Sequence, residues 1–280
     1  MRIIAYYPQS EQLARYYEAS EYYLAGDKVV PIEGLVSFAK TTDEIVIVGC
    51  ESNSHHADID HVKMLKKIRG IQSANELTLV CFDWHHDLDN EIQGTSLTPG
   101  SWIFYGLEHN LFRNAYILGA NLKHDSEVEA ATGKVLYEDC MVIRMFDRIR
   151  LFTGVVGMAC LKYNPAYEKF LADNPSVRDY RISSDKSFVE VTYKTCDEVD
   201  YRDLQSTAIV SIDLDVLNEY EVKSDCPQGV WKTDDLIGAI RCLKPKTQII
   251  GWAICGADVR AGRLDEKSLS TVSRIISACM

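Results

Sequence analysis

Short, unbroken apolar runs alternate with amphipathic stretches along most of the chain. Glu44 to Cys50, Thr78 to Phe82, Ala115 to Gly119, Ala208 to Ile212 and Gln248 to Ile254 are rich in β-branched or aromatic residues and show little polar alternation. That pattern predicts strands buried on both faces. Between them, Ile59, Val62, Leu65 and Ile68 recur at helical spacing within Ala57 to Ile68. Helices are likewise predicted over 9–25, Ser101 to Phe112, Thr233 to Leu243 and Glu266 to Ala278. The stretch from about 125 to 205 is the least regular, mixing a strand-like piece, Phe188 to Tyr193, with an amphipathic one, Tyr163 to Leu171. Strands alternating with helices imply an α/β fold of three layers, with a mainly parallel central sheet covered on both faces. No Pro/Ser-rich linker, repeat or low-complexity tract interrupts the pattern, so one domain over residues 1–280 is expected.

Composition narrows the class. With 46% hydrophobic and 25% charged residues, the chain reads as an ordinary globular protein. Its net charge of -11 argues against nucleic acid as the main partner and suits a cationic substrate. The nine cysteines are odd in number, scattered and never form a Cys-x-x-Cys pair, as in reduced intracellular proteins. Met1 to Tyr7 lacks a signal-peptide core and no apolar run reaches transmembrane length. The expectation is a cytoplasmic protein with no membrane partner. Its oligomeric state stays open.

The candidate chemistry lies where the apolar runs end. Thr78–Phe82 runs into Asp83, His85 and Asp87, spaced by two, so an extended chain presents all three on one side. Ala208–Ile212 runs into Asp213 and Asp215, again spaced by two, and the strand before Gly49 is followed by His55 and His56. In parallel sheets, ligands bind outside the carboxyl ends of the strands. Six groups, mostly carboxylates with two imidazoles, exceed what one catalytic zinc uses and suit a pair of ions sharing bridging carboxylates. Oxygen-rich ligation favours Mn2+, with Fe, Co or Zn as other candidates. Two ions roughly 3.5–4 Å apart can activate a water as nucleophile.

Asp83-Trp84-His85-His86-Asp87 and Ser211-Ile212-Asp213-Leu214-Asp215 resemble the two signatures of the arginase/deacetylase superfamily, Asp-x-His-x-Asp and Ser-x-Asp-x-Asp. The resemblance extends from about residue 45 to 258. It implies that His55, Asp83, Asp87 and Asp213 hold one Mn2+ ion, and that Asp83, His85, Asp213 and Asp215 hold a second. The superfamily's Gly-Gly-Asp-His at the first strand end is replaced by Gly49-Cys50-Glu51-Ser52-Asn53-Ser54-His55-His56, with Ser54 where the Asp would stand. His55 is taken as the ligand, with His56 as the alternate. This departure resembles an atypical branch that includes peptide arginases. A proton-shuttling His beyond the first motif is also missing, the region being Pro99-Gly100-Ser101-Trp102. For the guanidinium-binding acid at the end of the next strand, Asp258 is the nearest candidate.

The implied activity is hydrolysis of a guanidino C–N bond to urea and an amine. Asp87 would relay a proton to the leaving amine, and Asp258 would hold the cationic group, with Asp89 a further substrate contact or else a turn former. The loop Leu88 to Gly100 carries acids but no Lys or Arg to meet a free carboxylate, which favours an arginine-containing peptide over a small guanidino compound. Competing readings are a zinc deacetylase-like amide hydrolase and a metal-binding relative without catalysis. Other polar residues have plainer readings. His86 is read as a packing or supporting residue, His61 as a surface residue, Glu108 and His109 as a solvated helix face, and Asp234 and Asp235 as the first turn of a capped helix.

Overall fold

A computed structural model describes residues 1–49, 52–88, 97–121, 136–137, 148–154, 158–163, 165–201, 204, 207–224, 226–258 and 264–280. The central sheet contains β1 (Arg2–Tyr6), β2 (Lys28–Pro31), β3 (Glu44–Val48), β4 (Thr78–Phe82), β5 (Asn114–Ala120), β7 (Ile149–Thr153), β11 (Thr207–Asp213) and β12 (Gln248–Cys255). Its order is β2-β1-β3-β12-β11-β4-β5-β7, and every neighbouring pair is parallel. A second sheet, ordered β6-β8-β10-β9, comprises β6 (Leu136–Tyr137), β8 (Met158–Lys162), β9 (Val177–Ile182) and β10 (Phe188–Tyr193). It is antiparallel apart from the β6–β8 pair.

Because side chains alternate along a strand, each buried strand feeds two cores. On one face Ile45, Ile47, Leu79, Cys81 and Ile117 pack with α3 (Asp58–Arg69) and α4 (Trp102–Glu108). On the other, Val46, Val48, Val80, Phe82, Val210 and Ile212 pack with α1 (Glu11–Ala19), α6 (Thr233–Leu243) and α7 (Glu266–Cys279). Two further helices, α2 (Leu35–Phe38) and α5 (Pro165–Asp173), complete the described α-helices. The three-layer α/β/α architecture with a parallel central sheet is therefore as the sequence predicts. No helix among the described residues is long and apolar enough to cross a membrane.

Some boundaries differ from the periodicity. The first helix does not reach residue 25. It stops at Ala19 because the Ser20 hydroxyl donates to the Tyr17 carbonyl and accepts the Tyr22 N–H, offering the backbone a local turn instead of another helical bond. The helix expected over Ser101 to Phe112 covers only Trp102–Glu108, and Asn110, with φ of 52°, turns the chain out of it. The irregular middle of the chain holds the second sheet.

Candidate metal centre

Four neighbouring strands, β3, β12, β11 and β4, end side by side and build the site. Phe82, Ile212 and Ile254 pack on the α6/α7 side. Alternation therefore sends Cys81, Asp83, Ser211, Asp213 and Cys255 to the α3/α4 side. His55 enters from the short helical turn Ser52–Ala57, which links β3 to α3. Past Asp83 the chain leaves the sheet through His85 to Asp87, whose φ of 52° is left-handed. That conformation, tolerated by Asp better than by most residues, is held by α4. The Ile103 and Phe104 N–H groups donate to the Asp87 carbonyl, and Trp102 Nε1 donates to Asp87 Oδ2 at 2.6 Å.

His55 Nδ1 lies 3.3 Å from Asp83 Oδ2, 2.9 Å from Asp87 Oδ2 and 3.3 Å from Asp213 Oδ2. One ring nitrogen has at most one proton and cannot serve three carboxylates. Those separations are also what donor atoms sharing one ion show, since bonds of ~2.0–2.2 Å place them roughly 3 Å apart. A second group adjoins the first. His85 Nδ1 is 2.9 Å from Asp215 Oδ2 and 3.7 Å from Asp83 Oδ1, so Asp83 belongs to both. Backbone donors orient the acids: His85 N–H and Asp215 N–H donate to Oδ1 of Asp83 and Asp213 respectively, and Trp84 N–H donates to Asp215 Oδ1. Gly256, at φ 90°, leaves the space that Asp213 uses, for a Cβ there would stand 1.9 Å from Asp213 Oδ1.

A buried polar chain supports His55 from behind. His55 Nε2 is 3.0 Å from Ser211 Oγ, which donates in turn to Asp58 Oδ2. Asp58 Oδ1 meets His61 Nδ1 at 2.7 Å, and His61 Nε2 meets the Tyr7 hydroxyl at 2.5 Å. This arrangement turns Nδ1 of His55 toward the carboxylates.

The electrostatics bear on what the site can hold. Burial opposes charge on every carboxyl here. On Asp83, donors from His55 and His85 overcome burial and hold the carboxyl below the usual range. Burial and the Asp83 charge push Asp87 and Asp215 up to about 7, and burial with the Asp215 charge drives Asp213 well above its ordinary value. On His85 burial works against the proton, but bonds to Asp215 and Asp83 raise its pKa to about 12. Four buried acids against two imidazoles carry more negative charge than the fold neutralises. The donor set therefore fits divalent cations, which are the natural counter-charge for such a cluster.

All six residues predicted as ligands, His55, Asp83, His85, Asp87, Asp213 and Asp215, thus come together. His55, not His56, enters the cluster. Asp258 lies three residues beyond the last residue of β12, half-buried, with its N–H donating to the Lys223 carbonyl. Asp89 and most of the Leu88–Gly100 loop fall outside the described residues, as does Cys50, and so do the side chains of Ser52 to Ser54. His61 is a correction: it is buried at 3% exposure rather than on the surface, because residues 58, 61, 65 and 68 share the α3 stripe facing the sheet. His86 is buried and its Nδ1 accepts the Leu88 N–H. Glu108 and His109 are exposed. Asp235 caps α6 by accepting the Lys232 N–H, while exposed Asp234 pairs with Arg274.

Sequence reasoning assigned no role to Cys255, Cys81, Asp58 or Trp102, and placed Ser211 only as the first residue of the second signature. Cys255 is the residue that brings the end of β12 to the cluster, its Sγ 3.7 Å from Asp213 Oδ2. The signal was present in the register: Cys255 pairs with Asp213 across β12 and β11.

No protein-family model matches the sequence, and no curated protein matches it. Solved structures do match. The formimidoylglutamase of Bacillus subtilis superposes with a TM-score of 0.63 at 13% identity, covering 99% of this chain and 85% of the other. Proclavaminate amidino hydrolase from Streptomyces clavuligerus gives 0.58 at 12% identity, with coverages of 99% and 89%. A triple mutant of the arginase-like protein of T. brucei, bound with Mn2+, gives 0.51 at 14% identity, with coverages of 99% and 88%. The chain thus has the fold of these proteins at 12–14% sequence identity.

Proposed function

We propose that this protein is a binuclear metallohydrolase that cleaves a C–N bond of a guanidino or amidino group. The observation that carries the reading is the convergence of six donor side chains, over-supplied with negative charge, at the carboxyl ends of an arginase-like sheet. His55, Asp83, Asp87 and Asp213 would hold one ion and Asp83, His85, Asp213 and Asp215 the other. When bound, such ions supply Lewis acidity and activate water at neutral pH. Manganese is the ion that the oxygen-rich part of this set favours, and a manganese-bound arginase-like protein is among the structural matches.

The chain's own residues do the rest. Asp87 is fully enclosed, and Trp102 Nε1 fixes one of its oxygens. It is the group that passes a proton to the leaving nitrogen. His85, with a quarter of its side chain exposed, marks the side from which substrate and water reach the carboxylates. Asp258 is assigned to hold the cationic group through charge-assisted hydrogen bonds; its position just past β12, with its N–H donating to the Lys223 carbonyl, supports that reading. Asp89 is assigned to substrate contact.

The substrate is arginine within a peptide, converted to ornithine with release of urea. The excess negative charge favours a cationic polymer, and the Leu88–Gly100 loop brings no Lys or Arg to bind a free α-carboxylate. The test is a urea assay on arginine, agmatine and an arginine-containing peptide with metal-quantified protein, backed by mass spectrometry of the peptide. A modified residue loses about 42 Da, the mass exchanged in urea-forming hydrolysis. Rapid turnover of free arginine with every peptide untouched overturns the peptide assignment. Turnover of none of the three overturns the hydrolase reading.

A further inference from the structure

We infer that Cys255 and Cys81 place sulfur donors on the His55 side of this centre and make that side select a thiophilic divalent ion, zinc or ferrous iron, over manganese. The inference rests on the reading that the cluster binds metal.

The thiols stand where ligands would. Cys255 ends β12 between the strand that leads to His55 and the strand that ends in Asp213. Ligand atoms of His55, Asp58 and Cys255 all lie within 4.8 Å of one another, and so do those of His55, Cys81 and Asp83. The sulfurs are 3.7 Å and 3.9 Å from carboxylate oxygens of Asp213 and Asp83. Donors at tetrahedral angles around one ion, with bonds of ~2.3 Å to sulfur and ~2.0 Å to nitrogen or oxygen, stand roughly 3.3–3.7 Å apart, so a thiol would take the place of one of the four donors assigned above. Small adjustments, within side-chain reach, bring either thiol onto an ion held by His55.

A buried Cys is most often a small apolar filler. Cys279 is one, packed wholly into the α6/α7-side core. Cys255 is buried to the same degree yet joins neither apolar core. Its thiol meets the Asp213 carboxylate and the Ile212 carbonyl, with the His55 imidazole and the Asp58 carboxylate close by. Cys81 packs in the α3/α4-side core, with its sulfur 3.9 Å from Asp83 Oδ2.

The chemical consequence follows from ligand softness. Carboxylates and a single imidazole suit manganese, whereas thiolate ligands select zinc and iron and are poor partners for manganese. The His85 side, made of Asp83, His85, Asp213 and Asp215, has no sulfur among its described ligand atoms. The two sides therefore differ in preference, and a mixed-metal centre results when both kinds of ion are available.

Cobalt is the probe, because a thiolate bound to Co2+ gives an intense near-ultraviolet charge-transfer band that nitrogen and oxygen donors do not. Metal-free full-length protein titrated with Co2+ is expected to show that band. It weakens in Cys255→Ser and vanishes in the Cys81→Ser/Cys255→Ser double variant. Competition calorimetry is expected to show the zinc-over-manganese preference falling by roughly tenfold or more in Cys255→Ser, a loss on the scale of a perturbed ligand set. Cys255→Asp, which returns an oxygen donor, should shift the preference toward manganese. The wild-type spectrum needs no variant, so a variant that fails to fold does not blunt the test. Co2+ binding without a thiolate band, a band that survives the double substitution, or an unchanged zinc-to-manganese ratio overturns the inference. None of those outcomes touches the hydrolase reading, which stands or falls on urea release.

Discussion

His55 and His85 both meet Asp83, yet they sit in opposite surroundings. His55 is buried at 2% exposure, backed by Ser211, Asp58, His61 and Tyr7, and flanked by two thiols. His85 has a quarter of its side chain in solvent and leans on Asp215. One side is scaffold, fixed by the core of the sheet. The other opens to solvent. On the proposed reading, the buried imidazole serves to retain a cation and the open one to admit substrate.

The largest effect should come from breaking what the halves share. Asp83→Asn removes a charge from both groups, so metal content measured by elemental analysis should fall for both ions and urea release should disappear. A variant that keeps a full complement of metal would show that the halves do not share Asp83. Next in size is the buried half alone. Asp58→Asn leaves Ser211 and His61 without their anion, which should cost about 2–3 kcal/mol in urea denaturation of the metal-free protein. Metal affinity should drop ten- to a hundredfold, approximately, through misorientation of His55. His85→Ala, on the open side, should impair turnover and weaken metal binding, while solvent reaching the quarter-exposed imidazole keeps its stability loss below that of Asp58→Asn. Equal stability losses in the two variants would erase the contrast.

A pH dependence probes the same contrast without any substitution. Asp87 and Asp215 are raised from an ordinary 3.8 to about 7 in the fold, and Asp213 is raised too, so the native state binds more protons than the unfolded chain between those values. Stability of the metal-free protein should therefore fall as pH rises from about 4 to about 7. His85 adds to the trend above its unfolded value of 6.5, since its contribution is lost as pH climbs toward about 12. Saturating divalent metal should flatten the profile by supplying the missing positive charge. Thermal melts across this range, with and without metal, measure it.

Much of this was legible in sequence because parallel strands buried on both faces leave long apolar runs, and ligands at strand ends leave acids spaced by two. Asp83, His85, Asp87, Asp213 and Asp215 announce themselves in that way. Cys255 does not, since a Cys closing an apolar run looks the same whether it packs or ligates. His61 was hidden by its polarity, although it lies on the stripe of α3 that faces the sheet. β9 was missed because half of it faces solvent, with the pattern Val-Arg-Asp-Tyr-Arg-Ile, and weakly apolar alternation of this kind does not separate a strand from a loop. The first helix was overdrawn because Tyr22 and Leu24 continue an apolar period that a serine hydroxyl cuts short.

The strand order has a consequence in time as well as in space. His55 and Ser211 touch across 156 residues of chain, and the site exists only once β3, β12, β11 and β4 lie side by side. Such long-range parallel pairings form late, after the costly loop closures. Cations that need all four strand ends find nothing to grip in the folding transition state. Interactions absent from that state act on the escape from the native basin. Bound metal should thus lengthen the lifetime of the folded protein while leaving the speed at which it folds unchanged.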